Sequence, residues 1–340
     1  MKPVRTRIFL FKCLIAVAGI LSVATVLFWH HRLTMEKPVA ANQTDIRQGS
    51  IQVGSMVRTY LYYAPPQLPA SAPMLIVLHG ASQTAQNIRN MTGDEFESLA
   101  KKDHFLVVYP NGYKGNWNDC RTAANYPARS HNINDESFVQ DLITHFKTTA
   151  HINTSAVFAA GYSNGGQMAY RLALEMPQDF AGIATIAANL PAASNNLCVA
   201  TNQPLPMLIM AGTKDPISPY NGGVESLFGK QPRGMVLSTQ ATIQYFAHVD
   251  GQTIVPEPYL LPHQPASGDT LVSVSDYNQV NQKEVMDYTI INGGHVIPTL
   301  RAHAQTRLGQ ITRDVDAPSV IWNFFSRQLP PQENTPSVTS

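Results

Sequence analysis

The chain has 340 residues, of which 44% are hydrophobic and 14% are charged, and its formal net charge is +1 at pH 7. This composition indicates a folded protein with a sizeable apolar core and excludes an intrinsically disordered chain. Because the charge is nearly balanced and lysine and arginine form no dense stripe, the sequence also argues against nucleic acid as a partner.

The N-terminus predicts a membrane segment. Four basic residues lie among the first 12, and the run from Cys13 to Trp29 that follows carries no charge. About 20 apolar residues span a bilayer, and basic residues before such a run predict a cytoplasmic N-terminus and an exported remainder. A signal peptide cleaved near Val39-Ala40-Ala41 is the alternative. The protein is therefore expected to be exported, either anchored and facing the periplasm or exterior, or secreted.

Beyond the N-terminal segment, the sequence predicts one α/β domain. The predicted division is an anchor or signal peptide at 1–32, a spacer at 33–50, a catalytic domain at 51–328 and a flexible tail at 329–340. Apolar runs that predict strands occupy 51–53, 57–63, 74–78, 105–109, 156–160, 207–210 and 284–291, and apolar residues at helical spacing occupy 94–102, 135–146 and 168–176. Strands that alternate with helices predict a mostly parallel sheet covered on both faces. The segment 253–282 has the least clear strand or helix pattern and is expected to hold a hairpin or part of a substrate rim.

A nucleophile motif follows the run at 156–160. Gly161-Tyr162-Ser163-Asn164-Gly165 matches the pattern G-x-S-x-G. In a nucleophile elbow the serine sits on a strained strand-to-helix turn, and glycines two residues away on either side avoid clashes. An apolar strand before the motif and a helical pattern after it supply that context. Ser163 is therefore the predicted nucleophile.

A serine nucleophile of this kind needs an acid and a base that follow it in the order Ser, Asp/Glu, His. Asp215 comes just after the strand at 207–210, and His295 comes after the strand at 284–291 and two glycines. These positions favour the two residues over their competitors. The competing residues are Asp250, Asp269, Asp287, His248, His263 and His303.

An oxyanion hole would complete the site. The backbone N–H after the nucleophile, here that of Asn164, is one expected donor, and the other comes from the loop after the third strand. His79-Gly80-Ala81 ends the strand at 74–78, so the Ala81 N–H is the second candidate. His79 precedes the serine in the chain and is interpreted as structural. No metal site is expected, since the sequence has neither an H-E-x-x-H pattern nor a close cysteine pair, and no cofactor is needed.

Three cysteines occur in the sequence, and Cys13 falls in the predicted membrane segment. Cys120 and Cys198 lie in the exported part, where the environment allows oxidation. We expect a disulfide between them, with two free buried thiols as the alternative.

Taken together, these motifs resemble the polyhydroxybutyrate depolymerase-like esterases, which are allied to feruloyl and acetylxylan esterases. The similarity runs from about Val57 to Leu329, and its most specific pieces are GTKDPISPYNGG at 212–223, GGH at 293–295 and LGQITRDVDAPSVIWNFF at 308–325. The resemblance implies an α/β-hydrolase fold and Ser163, Asp215 and His295 as a catalytic triad. It also supports the pairing of Cys120 with Cys198.

Two departures from that family bear on the substrate. Family members often read Gly-Gly-His-Thr-Trp-Pro, whereas this chain has Val296 and Ile297 after the histidine. Only a short tail follows Leu329. By contrast, depolymerases that attack solid polymer usually look modular, with a linker and a substrate-binding domain. These features favour soluble polyester oligomers, such as those of hydroxybutyrate, or small acyl esters. The alternatives are a serine hydrolase that acts on amides or thioesters and a catalytically silent, membrane-tethered binding module.

For the esterase hypothesis, the sequence leads to an acyl-enzyme mechanism in which His295 is the base. Activity is expected to fall below roughly pH 6, since a protonated histidine cannot accept the serine proton. The expected partners are an ester substrate and, through the N-terminal segment, a membrane. The sequence does not predict an oligomeric state.

Overall fold

A computed structural model describes residues 45–301 and 306–329 of the chain. The predicted anchor or signal peptide, most of the spacer and all of the tail but its first residue lie outside the described residues. Within the described ranges, no helix has the length and apolar character that crossing a bilayer requires.

Ten strands form one large sheet. In chain order the strands are β1 (Arg47–Val53), β2 (Met56–Tyr63), β3 (Met74–Leu78), β4 (Leu106–Pro110), β5 (Val157–Tyr162), β6 (Gly182–Ile186), β7 (Met207–Gly212), β8 (Gly223–Leu227), β9 (Lys230–Val236), β10 (Tyr259–Leu260), β11 (Leu271–Tyr277) and β12 (Val285–Ile291). The sheet order is β1-β2-β4-β3-β5-β6-β7-β12-β11-β10, while β8 and β9 pair separately as a hairpin. The six central strands, which in sheet order are β4, β3, β5, β6, β7 and β12, run parallel. Antiparallel strands complete both edges of the sheet.

Helices cover both faces of the sheet. They are α1 (Ala85–Met91), α2 (Glu95–Asp103), α3 (Pro127–Ser130), α4 (Asp135–Thr149), α5 (Asn164–Glu175), α6 (Thr239–Val249) and α7 (Ala317–Ser326). Helices α4, α5 and α6 contribute to the hydrophobic cluster on one face, and α1, α2 and α7 contribute to the cluster on the other. This confirms the predicted fold class, a mostly parallel sheet between two helical layers.

The central strands show why continuous apolar runs fold this way. All five residues of β3 are buried: Met74, Ile76 and Leu78 belong to the cluster under α4 to α6, and Leu75 and Val77 belong to the opposite one. Side chains alternate between the two faces of a strand, so a strand covered by helices on both sides must be apolar at every position. The same continuous burial holds along β5, β6 and β7.

The elements that differ from the sequence-based expectation lie at the edges. The first strand begins at Arg47, inside the predicted spacer. The sequence did not predict this start, because an edge strand with exposed polar residues such as Gln48 lacks an apolar run. The segment 253–282 contributes β10 and β11, which extend the sheet beyond β12. The β8–β9 hairpin was not predicted, since its polar residues and bulges interrupt any simple alternation.

Candidate active site

Ser163 occupies a sharp turn between β5 and α5. Its backbone has φ of 55° and ψ of −118°, a conformation that L-residues rarely adopt. A Cβ on Gly161 would lie 2.1 Å from the carbonyl oxygen of Gly165, and one on Gly165 would lie 2.3 Å from that of Leu78. Only glycine fits at these two positions, which explains the spacing of the motif.

Two hydrogen bonds link Ser163 to His295 and Asp215. The Ser163 Oγ lies 2.9 Å from His295 Nε2, and His295 Nδ1 lies 2.7 Å from Asp215 Oδ2. The other carboxylate oxygen of Asp215 accepts the backbone N–H groups of Ile217 and Ser218 at 2.7 and 2.8 Å. The His295 and Asp215 side chains are 4% and 2% exposed, so little water competes for these bonds.

The sheet brings the three residues together although 132 residues separate Ser163 from His295. Ser163 follows β5, Asp215 follows β7 and His295 follows β12, and β7 pairs with both β6 and β12. Because these strands are parallel, all three side chains meet at the carboxyl edge, where open α/β sheets form their sites.

The loop of His295 is fixed by backbone contacts on both sides. The Tyr162 hydroxyl donates to the His295 carbonyl at 2.8 Å, and the His295 N–H donates to the Leu308 carbonyl at 2.6 Å. A Cβ on Gly294 would lie 2.0 Å from the Leu308 carbonyl oxygen. The glycine before the histidine therefore permits the close approach of the 308–310 segment.

The loop after β3 is held by His79, which is fully buried. The Gly112 N–H donates to His79 Nε2 at 2.9 Å, so Nδ1 carries the proton and donates to the Gly80 carbonyl at 2.7 Å. Burial lowers the pKa of His79 to about 4, which keeps the ring neutral. The Trp117 indole N–H donates to the His79 carbonyl at 2.9 Å. His79 is thus a structural residue of this loop, as its place in the chain order indicated.

The two expected oxyanion donors are the backbone N–H groups of Ala81, in the loop after β3, and of Asn164, at the start of α5. Ala81 follows Gly80 in the loop fixed by His79, and Asn164 begins α5 directly after Ser163. Over the described ranges, neither backbone N–H donates to a protein acceptor. Unpaired N–H groups at the start of a helix favour negative charge. The Asn164 amide, at the start of α5, is therefore free to bind a negatively charged atom.

Comparisons with known proteins find similarity to esterases. The sequence model of the Phospholipase/Carboxylesterase family matches residues 64–227, a segment that contains Ser163 and Asp215. The protein named "Putative esterase NocK", from Nocardia uniformis subsp. tsuyamanensis, is 28% identical over 272 residues, which cover 77% of this chain and 76% of that protein. The chain has the α/β-hydrolase fold and is similar to esterases.

Two further similarities concern the relatives and the fold of this hydrolase. Poly(3-hydroxyalkanoate) depolymerase C of Paucimonas lemoignei is 29% identical over 126 residues, which cover 37% of this chain and 30% of the depolymerase. The solved structure of an acetyl xylan esterase from Aspergillus awamori aligns with a TM-score of 0.50 and 14% identity over 75% of this chain and 96% of that one, which supports the fold. The hydrolase spans about three quarters of NocK and under a third of the depolymerase. The resemblance drawn from the motifs is confirmed by these relatives.

Five of the six competing acids and bases fall within the described residues, and none of these five forms a hydrogen bond with Ser163. Asp287 is buried within β12 and bonds to the Thr289 hydroxyl, and Asp250 accepts the backbone N–H of Lys283. His263 bonds to Asp314. Asp269 lies in an exposed turn before β11, His248 is exposed on α6, and His303 lies outside the described residues.

Cys120 and Cys198 form a disulfide with a Cα–Cα distance of 5.2 Å, which is the expected pairing. Cys13 lies outside the described residues. Across 45–301 and 306–329, no group of three or more histidine, cysteine, aspartate or glutamate side chains could hold a metal ion.

Sequence reasoning missed two side chains that support the site. Tyr162 is the variable residue of the nucleophile motif, and its hydroxyl holds the His295 loop. Trp117, fully buried, donates its indole N–H to the carbonyl of His79. The signal available in the sequence was the segment Trp117-Asn118-Asp119-Cys120, in which the tryptophan lies three residues before a cysteine of the expected disulfide.

Proposed function

We propose that this hydrolase cleaves carboxylic esters with Ser163, His295 and Asp215 as a catalytic triad and that it forms an acyl-enzyme. One observation carries the proposal: the continuous chain of hydrogen bonds from the Ser163 Oγ through His295 to Asp215, at 2.9 and 2.7 Å. A histidine with one ring nitrogen bound to a buried carboxylate and the other facing a serine can act as that serine's base.

In the first half of the reaction, the Ser163 Oγ attacks the ester carbonyl while its proton passes to His295 Nε2. Asp215 accepts the Nδ1–H bond, which fixes the tautomer and stabilises the imidazolium. The N–H groups that Ile217 and Ser218 donate to Asp215 keep its carboxylate in place. Collapse of the tetrahedral intermediate breaks the bond to the leaving alcohol, which takes the proton from His295.

In the second half, water attacks the acyl-enzyme and gives its proton to His295. The carboxylic acid then leaves as the proton returns to the Ser163 Oγ. Both tetrahedral intermediates place a negative oxygen beside the start of α5. The backbone N–H groups of Asn164 and Ala81 are the proposed donors to that oxygen, and their unpaired state supports this role.

The proposed substrates are short polyester oligomers, such as those of hydroxybutyrate, or small acyl esters. The similarity to a poly(3-hydroxyalkanoate) depolymerase supports the first class. Ile297 is 3% exposed and packs in the cluster under α7, so the position where relatives carry tryptophan offers no aromatic face to a substrate. Aliphatic acyl groups are therefore favoured over feruloyl groups.

We further propose that residues 1–32 direct the catalytic domain out of the cytoplasm. The Cys120–Cys198 disulfide supports this, because such bonds persist mainly in oxidising compartments. Protease accessibility in intact cells, compared with lysed cells, tests the assignment. In a host without an outer membrane, digestion of the catalytic domain only after lysis would contradict its proposed export.

Reaction of the full-length protein with a fluorophosphonate probe, followed by peptide mapping, tests the proposed nucleophile. Labelling is expected on Ser163 and should disappear in Ser163→Ala, whose kcat should fall by roughly 10⁴–10⁶. Ser130→Ala, at an exposed serine of α3, is the matched control and should behave as wild type. A folded wild-type protein that is not labelled would favour a silent binding module.

A substrate panel separates the ester hypothesis from the other hydrolase chemistries. Matched butyryl esters, thioesters and amides of one chromogenic leaving group, together with hydroxybutyrate oligomers, should rank by kcat/KM with the esters first. An amide cleaved as fast as its ester would contradict esterase specificity.

A further inference from the structure

A cluster of buried charged side chains lies behind the nucleophile and takes no part in the proposed chemistry. Asp119, Arg121 and Glu225 are 2%, 0% and 4% exposed. They come from two distant segments, the loop before α3 and strand β8. Charges so deeply buried are costly unless they are paired, so their contacts identify what the cluster holds.

The cluster begins at the side chain of Asn164, the residue after the nucleophile. Its Oδ1 accepts the backbone N–H of Trp117 at 2.8 Å, and its Nδ2 donates to Asp119 Oδ2 at 2.7 Å. Asn164 is 1% exposed, and both sides of its amide are engaged. The residue whose backbone N–H is a proposed oxyanion donor is therefore fixed through its side chain.

Arg121 holds Asp119 in place. Its backbone N–H and Nε donate to Asp119 Oδ1 at 2.9 and 3.0 Å, and its Nη2 donates to Asp119 Oδ2 at 2.5 Å. Arg121 also donates from Nη1 to Glu225. Gln167 then donates from Nε2 to Glu225 Oε2 at 3.2 Å.

These contacts close a circle, which we call the buried ring: Asn164, Asp119, Arg121, Glu225 and Gln167. Asn164 and Gln167 are three residues apart and so lie on one face of the first turn of α5. The ring thus ties that turn to the loop that carries the disulfide and to the hairpin after Asp215.

The formal charges of the ring are balanced by Arg233, which lies beside it. Arg233 approaches Glu225 at 3.8 Å, so two guanidinium groups face two carboxylates. Burial alone would lower the pKa of Arg121, but the adjacent carboxylates of Asp119 and Glu225 outweigh burial and raise the pKa well above its ordinary value. The Arg121 guanidinium is therefore held in its charged form.

Stability does not explain such an arrangement well. Replacing a buried ion pair by packed apolar residues is often neutral or stabilising, whereas its bonds fix the geometry of the groups that they join. Geometry matters at this place, since the donors of an oxyanion hole act only when they are aimed at the oxyanion in advance.

We propose that the buried ring is a positioning device for the oxyanion hole: it fixes the first turn of α5 so that the Asn164 backbone N–H faces the developing oxyanion. The inference rests on the proposed esterase function. The ring side chains are positioning residues, and Asp119, Arg121, Glu225 and Gln167 do not touch the substrate.

A polarity exchange between Asn164 and Asp119 tests the role of the ring. In Asn164→Asp, two buried carboxylates meet and the donor to Asp119 is lost, so kcat for p-nitrophenyl butyrate should fall by about 100-fold with KM changed less than about threefold. In the double variant Asn164→Asp/Asp119→Asn, the new Asn side chain can donate to the new Asp side chain. That variant should regain kcat to within about tenfold of wild type.

The comparison is made on the full-length protein, with kcat expressed per site titrated to completion by the fluorophosphonate, so that unfolded molecules do not count. The acid limb of the pH profile should stay in place, because no ring side chain bonds to His295 or Asp215 in the described ranges. Glu97→Gln is the control: Glu97 is also buried and paired with an arginine but lies on α2, and its loss should leave kcat per site within about twofold.

The outcomes separate the inference from the function on which it rests. A folded wild type that does not react at Ser163 overturns both. A wild type that reacts, together with Asn164→Asp at wild-type kcat per site or a double variant no better than Asn164→Asp, overturns the inference alone. If Asn164→Asp does not fold, Asn164→Ala carries the same test, with an expected loss in kcat of about tenfold.

Discussion

Asp287 provides the sharpest quantitative test of the structure. It lies on β12 and is 6% exposed, and in the described ranges one side-chain donor, the Thr289 hydroxyl, reaches its two carboxylate oxygens at 3.2 and 3.0 Å. Burial raises the pKa of Asp287 to about 7, and the Thr289 hydrogen bond opposes that rise only in part. Asp287→Asn removes the titration while preserving the shape of the side chain.

The sign follows from the two pKa values. In the unfolded chain an aspartate has a pKa of about 3.9, so folding favours the protonated form. The stability that this group contributes is fully present below about pH 4 and is lost as the pH rises through 7. A difference of about three pKa units, at about 1.36 kcal/mol each, corresponds to about 4 kcal/mol lost by pH 8.

Urea unfolding of wild type and Asp287→Asn from pH 4 to pH 8 measures this loss. The free energy of unfolding of the variant, relative to wild type, should rise by about 4 kcal/mol over that range, on top of a constant offset of about 1–2 kcal/mol from the altered hydrogen bond. Asp314→Asn is the control. Burial raises the pKa of Asp314, but hydrogen bonds from Ser267 and Gln264 outweigh this and lower it, so the effect of this variant should change only at acid pH. Parallel stability curves for wild type and Asp287→Asn would refute the reasoning.

Three further predictions concern the supports of the site. Tyr162→Phe removes the hydrogen bond to the His295 carbonyl, worth about 1 kcal/mol, so kcat should fall by about fivefold with KM nearly unchanged, and an unchanged kcat would contradict this. Gly294→Ala forces a Cβ against the Leu308 carbonyl and should lower kcat by at least about 100-fold in steady-state assays, and full activity would refute the close approach. Replacing both cysteines of the disulfide by alanine opens a link between residues 78 apart and should lower the free energy of unfolding by about 4 kcal/mol in urea titrations, whereas a loss below about 1 kcal/mol would contradict the estimate.

The sequence predicted the central sheet because buried parallel strands must be apolar at every position. The runs at β3, β5 and β7 and the order of serine, aspartate and histidine were enough to predict the strands and the three residues that the structure joins by hydrogen bonds. The glycines of the nucleophile motif were also predictive, because steric exclusion allows no other residue at those positions.

The buried ring could not be predicted, because its members carry no pattern. Asp119 and Arg121 are two residues apart, whereas Glu225 is 104 residues from Arg121, and isolated charges in a sequence are usually exposed. Only the folded chain reveals that they pair. The edge strand β1 escaped for a different reason, since polar residues such as Gln48 and Ser50 face solvent there.

The site is supported from late in the chain as well as from its middle. His295 depends on the strand before it and on the backbone of Leu308, which follows it. A chain still in synthesis, or cut short before His295, therefore carries Ser163 and Asp215 without that histidine. We expect such a fragment to hydrolyse no ester, and we expect the return of hydrolysis during refolding to require the pairing of β12 with β7.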